Sequence, residues 1–480
     1  MNKNTTIPSN AQSKMTIDQY DLNECESTTS RFLDRFKVVK LLAECGAYKA
    51  KGVPVRVIIL YIFNLIFSPM SMYYQMKINA FHEDFSKNTI YRFLENVHMN
   101  WHRFLLRLSA LIIHHVTGLT GNNDKRYALL VDDTPLSKCG RAMELVSKYF
   151  NHVTMGYEYG YRVLTIAWTD GVTTIPVRYS LLASSFDEKI KGRIRQDIDK
   201  RSIGASIRKM ARSSMHDLTV QFACDIVRSG IPASIIAFDS WFAVPKTISR
   251  LVKETGLTVI ARLKTNFNQY YEFEGKMMTL KDIYHFNRKR RGKSSWKLSI
   301  SVNMLVKEKN IIVERVPVKL VYLPNRANKK EWICILCTDT QMDENEIIRN
   351  YGKRWNIEVM FKCSKQYLKF GKDFQSPSFE AQNAQIAIAF TRYMLIAIEQ
   401  RESEDYRSCG ELFMLFYQEL QDITYIQSLS LILELFKAGL SEVLGLSEKQ
   451  IHAVVEYVIS ALPGYLKRTL SVVNGIQLAA

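Results

Sequence analysis

Tyr351-Gly-Lys-Arg354-Trp-Asn-Ile-Glu358-Val-Met-Phe-Lys-Cys-Ser-Lys365 is the stretch on which the reading of this chain turns. It has good helix formers, no proline and a single glycine at its second position, so it predicts the start of a helix. At ~100° per residue, with Tyr351 at zero, Arg354 falls at about −60°, Glu358 at about −20° and Lys365 at about −40°. A phenol, a guanidinium, a carboxylate and an ammonium thus share one face along roughly 20 Å of axis. Ile357, Phe361 and Leu368 fall beside that face and give the helix an apolar stripe to bury. A carboxylate flanked by two cations suits a metal ion held near a polyphosphate backbone. The same spacing suits a solvated face with an i,i+4 Arg–Glu pair. The helix alone does not choose between them.

The chain is long enough, at 480 residues, for several domains and a sizeable core. Its 47% hydrophobic and 23% charged residues are ordinary for a water-soluble fold. The net charge of +18 is not ordinary, and implies a polyanionic partner, nucleic acid before a membrane surface. Eight cysteines without a repeat fit a reducing compartment, hence the cytoplasm, and the nucleoid if the host is bacterial. Cys334-Ile-Leu-Cys337 sits in an apolar run with no second such pair, which reads as a strand with buried thiols rather than half a zinc site. The N-terminus is polar, without the apolar core of a leader peptide. Val53–Phe67, the most apolar segment, is too short to span a bilayer and is broken by Pro54 and Arg56.

From Arg31 to about Thr120, apolar residues recur at helical spacing. Within that region Ser86 is an N-cap candidate for a helix carrying Lys87 and Arg92, which fits either a recognition helix or a solvated helix in a bundle. His114 and His115 point to different faces and read as structural. After the break at Gly121-Asn-Asn-Asp the pattern turns to strands. Tyr127-Ala-Leu-Leu-Val is a fully apolar run that delivers Asp132 and Asp133, with Pro135 expected to end it. Asp170-Gly171 joins two β-rich runs as a hairpin turn. A basic stretch follows, from Lys189 to Arg212, suited either to a solvated surface or to phosphate contact, and grading into a helix that stops near Gly230. Ala233-Ser-Ile-Ile-Ala-Phe-Asp239 is a second buried strand ending in an acid. A helix over Val244–Thr255, a stop at Gly256 and the strand from Leu257 complete a strand–helix–strand unit, which predicts a parallel pair. From about Thr265 to Asp343 the pattern alternates as β-strands and includes the basic run Arg288–Lys293, read as a phosphate-facing hairpin. The remainder is helical: Gln382–Arg401, Ile426–Lys437 and Glu448–Leu462.

Two buried strands that each deliver an aspartate, followed by a helix bearing Glu358, place three carboxylates where they can converge. Oxygen-only donors suit Mg²⁺, and two such ions about 3.5–4 Å apart can assist an in-line phosphoryl displacement. No Walker-type glycine loop is present, which disfavours nucleotide hydrolysis.

On these residues the chain resembles insertion-sequence transposases of the DDE superfamily, in the IS-four branch with a β-insertion before the last acid. Tyr351, Arg354, Glu358 and Lys365 match the branch's Y-x2-R-x3-E-x6-K signature. The Asp132-Asp133-Thr134 block, the strand ending at Asp239, and Arg262-Leu-Lys264 resemble its other blocks, over about residues 125–375. The resemblance implies an α/β fold: a ribonuclease-H-like catalytic core with a β-strand-rich insertion before the last acidic helix, flanked by helical N- and C-terminal regions. The corresponding division is a polar segment over 1–30, a helical DNA-end-binding domain over 31–120, core over 121–264, insertion over 265–345, the last catalytic helix over 346–375, and a helical region over 376–480 that is a candidate for dimerisation. The resemblance further implies Asp132, Asp239 and Glu358 as catalytic metal ligands for two Mg²⁺ ions, replaceable by Mn²⁺. Tyr351, Arg354 and Lys365 become DNA-gripping residues. A small hydroxyl residue two places after the first acid selects Asp132 over Asp133. The implied partners are double-stranded DNA (terminal inverted repeats and target) and a second copy of the chain, with no membrane. The implied activity is cut-and-paste transposition, with a DNA hairpin as one route to the second strand. The rivals are a catalytically silent, transposase-derived DNA-binding protein and a plain nuclease with the same core.

Overall fold

The structure is a computed structural model. It describes residues 27–462 except 49–50, 69, 79–84, 120–126, 152–153, 266–268, 288, 290–294, 326–330 and 403–406, and not the side chains of 422–431. Residues 1–26, the Gly121-Asn-Asn-Asp break and, except for Lys289, the basic run 288–293 therefore lie outside the described residues. The chain divides into two compact units, one of Leu33–Phe413 and one comprising the chain up to Phe32 and from Met414 onward.

Among the described residues, six α-helices come first: α1 (Thr28–Arg35), α2 (Val38–Leu42), α3 (Val55–Asn64), α4 (Met72–Lys77), α5 (Lys87–Leu94) and α6 (Trp101–Leu119). In α5 the apolar Ile90, Phe93 and Leu94 are buried while Lys87 and Arg92 face solvent, as its spacing requires.

Among the described residues, eleven strands form one sheet: β1 (Ala128–Ser137), β2 (Ser147–Asn151), β3 (Gly156–Thr169), β4 (Thr174–Leu182), β5 (Ile235–Phe238), β6 (Thr258–Leu263), β7 (Tyr270–Phe273), β8 (Lys276–Thr279), β9 (Leu298–Glu308), β10 (Ile311–Pro324) and β11 (Trp332–Cys337). Their order is β2-β3-β1-β5-β6-β11-β10-β9-β7-β8, with β4 also paired to β3. β2 is a strand the sequence pattern did not reveal. Beside the sheet lie α7 (Ile203–Ala211), α8 (Met215–Arg228) and α9 (Pro245–Thr255), and α10 (Leu280–Phe286) stands among the insertion strands.

The strand at the centre shows why the sheet is mixed. Ala128-Leu-Leu-Val131 has no residue exposed to water, because β3 flanks it antiparallel and β5 parallel, and helices cover the faces. Asp170 shapes the β3–β4 hairpin by accepting the backbone N–H groups of Val172 and Thr173, and Gly171 supplies the φ of 100° that the turn needs. β5 and β6 are the predicted parallel pair, joined through α9, which stops at Gly256 with φ 70°. Contrary to expectation, Pro135 does not end β1, which continues to Ser137. Beyond Val131, β1 pairs with β3 alone, and an edge without a partner strand tolerates a residue that has no N–H.

The insertion strands extend the same sheet rather than forming a separate one, since β11 returns to pair with β6. Cys334 and Cys337 are buried on β11 and are not joined in a disulfide. Elsewhere a disulfide joins Cys363 to Cys409, where the scatter of cysteines suggested thiols throughout.

The helix predicted to run on from Tyr351 is two helices: α11 (Glu344–Gly352) and α12 (Trp355–Gln366). Lys353 and Arg354 form a turn between them, with i→i+3 bonds such as Arg354 N–H to the Tyr351 carbonyl. Gly352, a poor helix former, falls at the junction, and Asp343 caps α11 by accepting two backbone N–H groups. The predicted apolar stripe is buried, with Ile357, Phe361 and Leu368 all in the core. α13 (Phe379–Glu402) follows and is buried along most of its length, packing on α6, β4 and α12. Its amphipathicity is accordingly weak, and its buried Asn383 offers a carbonyl to the Tyr179 hydroxyl at 2.8 Å.

α14 (Cys409–Glu442) and α15 (Glu448–Ala461) end the described chain, the unit boundary falling inside α14. Leu433, Val455 and Ile459 form a small apolar cluster there, with Ile451 and Leu462 against it. No described helix is long and apolar enough to cross a membrane.

Candidate active site

The parallel register of β1 and β5 sets the first pair of acids. Val131 lies opposite Phe238, and the next residue of each strand is an aspartate. Asp132 and Asp239 therefore leave the shared register side by side, where β5 stops and β1 runs on. Asp239 turns the chain by accepting the Trp241 backbone N–H at 2.9 Å.

Strand alternation sends Asp132 and Asp133 to opposite faces. Asp133 is held by Arg162, whose Nη2 donates to Oδ1 at 2.7 Å and whose Nε donates to Oδ2. This bidentate pair occupies the Asp133 carboxylate on a side chain only 4% exposed. Asp132 accepts its neighbour's backbone N–H, at 2.8 Å, and lies 3.9 Å from Arg354 Nη1. Burial, and then the adjacent Asp133 carboxylate, pushes the Asp132 carboxyl up to about 7; Asp239 adds to the rise, while the Asp133 N–H and Arg354 oppose it.

Arg354, in the turn between the helices, reaches both sides of the site. Its Nη2 meets Glu358 Oε1 at 2.6 Å, and its guanidinium carbon lies 5.9 Å from the centre of the Tyr351 ring. Its Nε–H is buried without an acceptor among the described residues. Lys365, a further two turns along α12, donates from Nζ to Thr134 Oγ1 at 2.6 Å. Thr134 is two residues beyond Asp132, so it shares its face of β1. Burial lowers the pKa of the Lys365 ammonium from its usual value.

The structure thus brings Asp132, Arg354 and Glu358 together, sets Asp239 beside Asp132, and anchors Lys365 on the same strand face. It does not close the three acids into one metal cluster among the described residues, because Glu358 is turned to Arg354. The donor set nevertheless fits a hard divalent cation. Asp132 and Asp239 supply carboxylate oxygens only, and the Asp132 charge, disfavoured first by burial and then by the Asp133 carboxylate, is one that such a cation would stabilise.

Three residues were not singled out from the sequence. Thr134 was visible only as the small hydroxyl after the acid, and no sequence signal pairs it with Lys365. Arg162 is 29 residues from Asp133, and the β1–β3 register alone joins them. Trp241, 42% exposed, lies with the Arg162 guanidinium 5.7 Å from its ring centre and Lys264 Nζ 4.7 Å from it. Beside it opens a cleft of about 350 Å³, lined in part by Trp241, Lys246, Lys264, Tyr270, Leu305 and Lys307. An acidic centre rimmed by cations is suited to holding a phosphodiester against a bound metal.

Comparison with known families gives two matches. Residues 70–299 match the family described as DDE superfamily endonuclease, and residues 212–395 match the family described as transposase DDE domain. The first match contains Asp132 and Asp239, and the second contains Asp239 and Glu358. No curated protein matches the chain.

Proposed function

Because the chain belongs to the DDE superfamily of transposases, we propose that it is an insertion-sequence transposase of the IS-four branch. It cleaves the ends of a mobile element in a Mg²⁺-dependent reaction and joins the freed 3′-OH to target DNA by a cut-and-paste route. The observation that carries this is the register at the sheet's split point, which sets Asp132 beside Asp239 with Arg354 spanning from Asp132 to Glu358. The strand order β4-β3-β1-β5-β6, three antiparallel strands followed by two parallel ones, supports a ribonuclease-H-like core. The insertion strands β7–β10 stand between that core and the helix of Glu358.

Asp132, Asp239 and Glu358 would hold the metal. Two ions there would activate the attacking oxygen and neutralise the leaving one. Arg354 releases Glu358 as DNA enters and turns to a phosphate, its buried Nε–H being a donor in want of an acceptor. Tyr351 supports that guanidinium from α11, and Lys365, held by Thr134, contacts the next phosphate. Two ends are handled by two copies of the chain.

The test is to incubate the full-length protein with Mg²⁺ and a duplex carrying the inverted repeats that flank its reading frame, scoring nicks, hairpin ends and joined products on denaturing gels. Nicking that needs the metal and disappears in Asp132→Ala and Glu358→Ala is the expected result. Tight binding without cleavage would instead identify a silent DNA-binding derivative.

A further inference from the structure

Away from the acids, the free end of β3 carries an arrangement that the site does not use. Tyr157 is 68% exposed and Tyr159 38%, unusual for rings at alternate positions of one strand. Each is capped by a lysine: Lys148 Nζ lies 4.6 Å from the centre of the Tyr157 ring, and Lys191 Nζ lies 4.2 Å from that of Tyr159. Lys148 is opposite Tyr159 in the β2–β3 register, so it stands on the same face as both tyrosines. The one acid of this strand end, Glu158, points to the other face, where Ser137, Tyr149, Asn151 and Thr154 all donate to it. Among the described residues of β2 and β3, the tyrosine face therefore presents rings and a lysine without that carboxylate. A third ring, Phe186, is 57% exposed and also carries a lysine, Lys189, at 4.9 Å.

The spacing selects the ligand. Tyr157 and Tyr159 are two strand residues apart, ~6.8 Å along the chain. That is twice the ~3.4 Å between stacked bases in a duplex strand. Rings so placed cannot each engage neighbouring bases of an intact duplex, whose faces are hidden in any case. They match bases drawn apart in an extended single strand, with the lysines free to leave the rings for its phosphates. By alternation the same side of β3 leads to Thr165, the partner of Asp132, six residues from Tyr159, or ~20 Å, with Tyr161 and Val163 buried between them.

We propose that the lysine-capped tyrosines Tyr157 and Tyr159, with Lys148 and Lys191, form a stacking surface for single-stranded DNA, receiving a strand separated from its complement near the acids. It rests on the transposase reading, which supplies the strand. The experiment measures binding of the full-length protein to fluorescent 20-nucleotide oligothymidine and to a 20-base-pair random duplex by anisotropy, over a salt series. Stacking contributes about 5- to 150-fold per base. Tyr157→Ala/Tyr159→Ala should therefore weaken oligothymidine binding at least about 10-fold and duplex binding less than about 2-fold. Tyr157→Phe/Tyr159→Phe should bind as the wild type does. Lys148→Ala/Lys191→Ala should flatten the single-strand salt slope by about 1.4, ~0.7 for each lost phosphate contact. Unchanged oligothymidine binding in the double alanine variant, or an equal loss on both probes, overturns the proposal. So does a wild type that does not bind oligothymidine. Metal-dependent nicking by the wild type is scored in parallel: if it is absent while ring-dependent binding persists, the transposase reading fails and the surface stands.

Discussion

Replacing Asp132 by asparagine should make the metal-free protein more stable while removing its cleavage activity. The Asp132 carboxyl sits near 7 in the fold, against 3.8 for the free side chain, chiefly through burial and the neighbouring Asp133 charge. Between those values the folded state holds a proton that the unfolded chain has lost. Stability therefore falls as pH rises from about 4 to about 7, and the full penalty applies above 7. A difference of about three pH units at ~1.36 kcal/mol each makes that penalty about 4 kcal/mol. Asparagine keeps the shape and cannot ionise, so at pH 8 in EDTA the Asp132→Asn variant should gain up to about 4 kcal/mol, or up to about 4 °C in Tm for a chain of 480 residues. At pH 4 the gain should vanish. Added Mg²⁺ should raise the Tm of the wild type at pH 8, through binding to the folded state, and leave the variant nearly unmoved. Thermal unfolding of both proteins at the two pH values, with and without Mg²⁺, gives the answer. A variant no more stable than wild type at pH 8 in EDTA, or one more stable by the same amount at pH 4, would refute the placement of Asp132 in a crowded, cation-seeking site.

The neighbouring acid should behave differently. Asp133→Ala strips Arg162 of its bidentate partner and should cost about 3 kcal/mol in denaturant unfolding, whereas Asp132→Ala should lose metal-dependent nicking with the fold intact; equal loss of nicking at unchanged stability would reverse the assignment. Lys365→Ala should reduce the salt slope of duplex binding by about 0.9. Thr134→Val, which removes only the acceptor of the 2.6 Å bond, should slow cleavage about 10-fold with that slope preserved, as single-turnover assays can show. At a sequence separation of 46, Cys363 and Cys409 should contribute about 4 kcal/mol when bonded, so Cys409→Ser should lower Tm relative to wild type without reductant and match it in dithiothreitol. A difference that persists in reductant would show that the serine disturbs packing instead.

Much of the architecture was legible in the residues themselves. The unbroken apolar runs before Asp132 and Asp239 could only be strands covered on both faces, and Asp170-Gly171 and Gly256 marked the turn and the stop through backbone geometry. These are local effects of side-chain period and permitted dihedral angles. The spacing of Arg354 and Glu358 likewise gave their i,i+4 contact, because four residues bring side chains together on any helical turn. The break at Lys353–Arg354 was not legible, since both residues keep helical dihedrals and only the hydrogen-bond pattern shifts. Nor was the continuation of β1 through Pro135, which depends on where β5 runs out.

By itself, then, the sequence determined the set of carboxylates, the strands and helix that carry them, and the cationic surplus that points to DNA. Only the tertiary structure decided which groups face one another: Asp132 beside Asp239 by parallel register, Asp133 tied to Arg162 across β1–β3, and Lys365 seated on Thr134. Those pairings join residues tens to hundreds of positions apart, and no local periodicity encodes them. They arise because burying both faces of the sheet fixes each strand's register to a single residue, and with it the face on which every charge must find its partner.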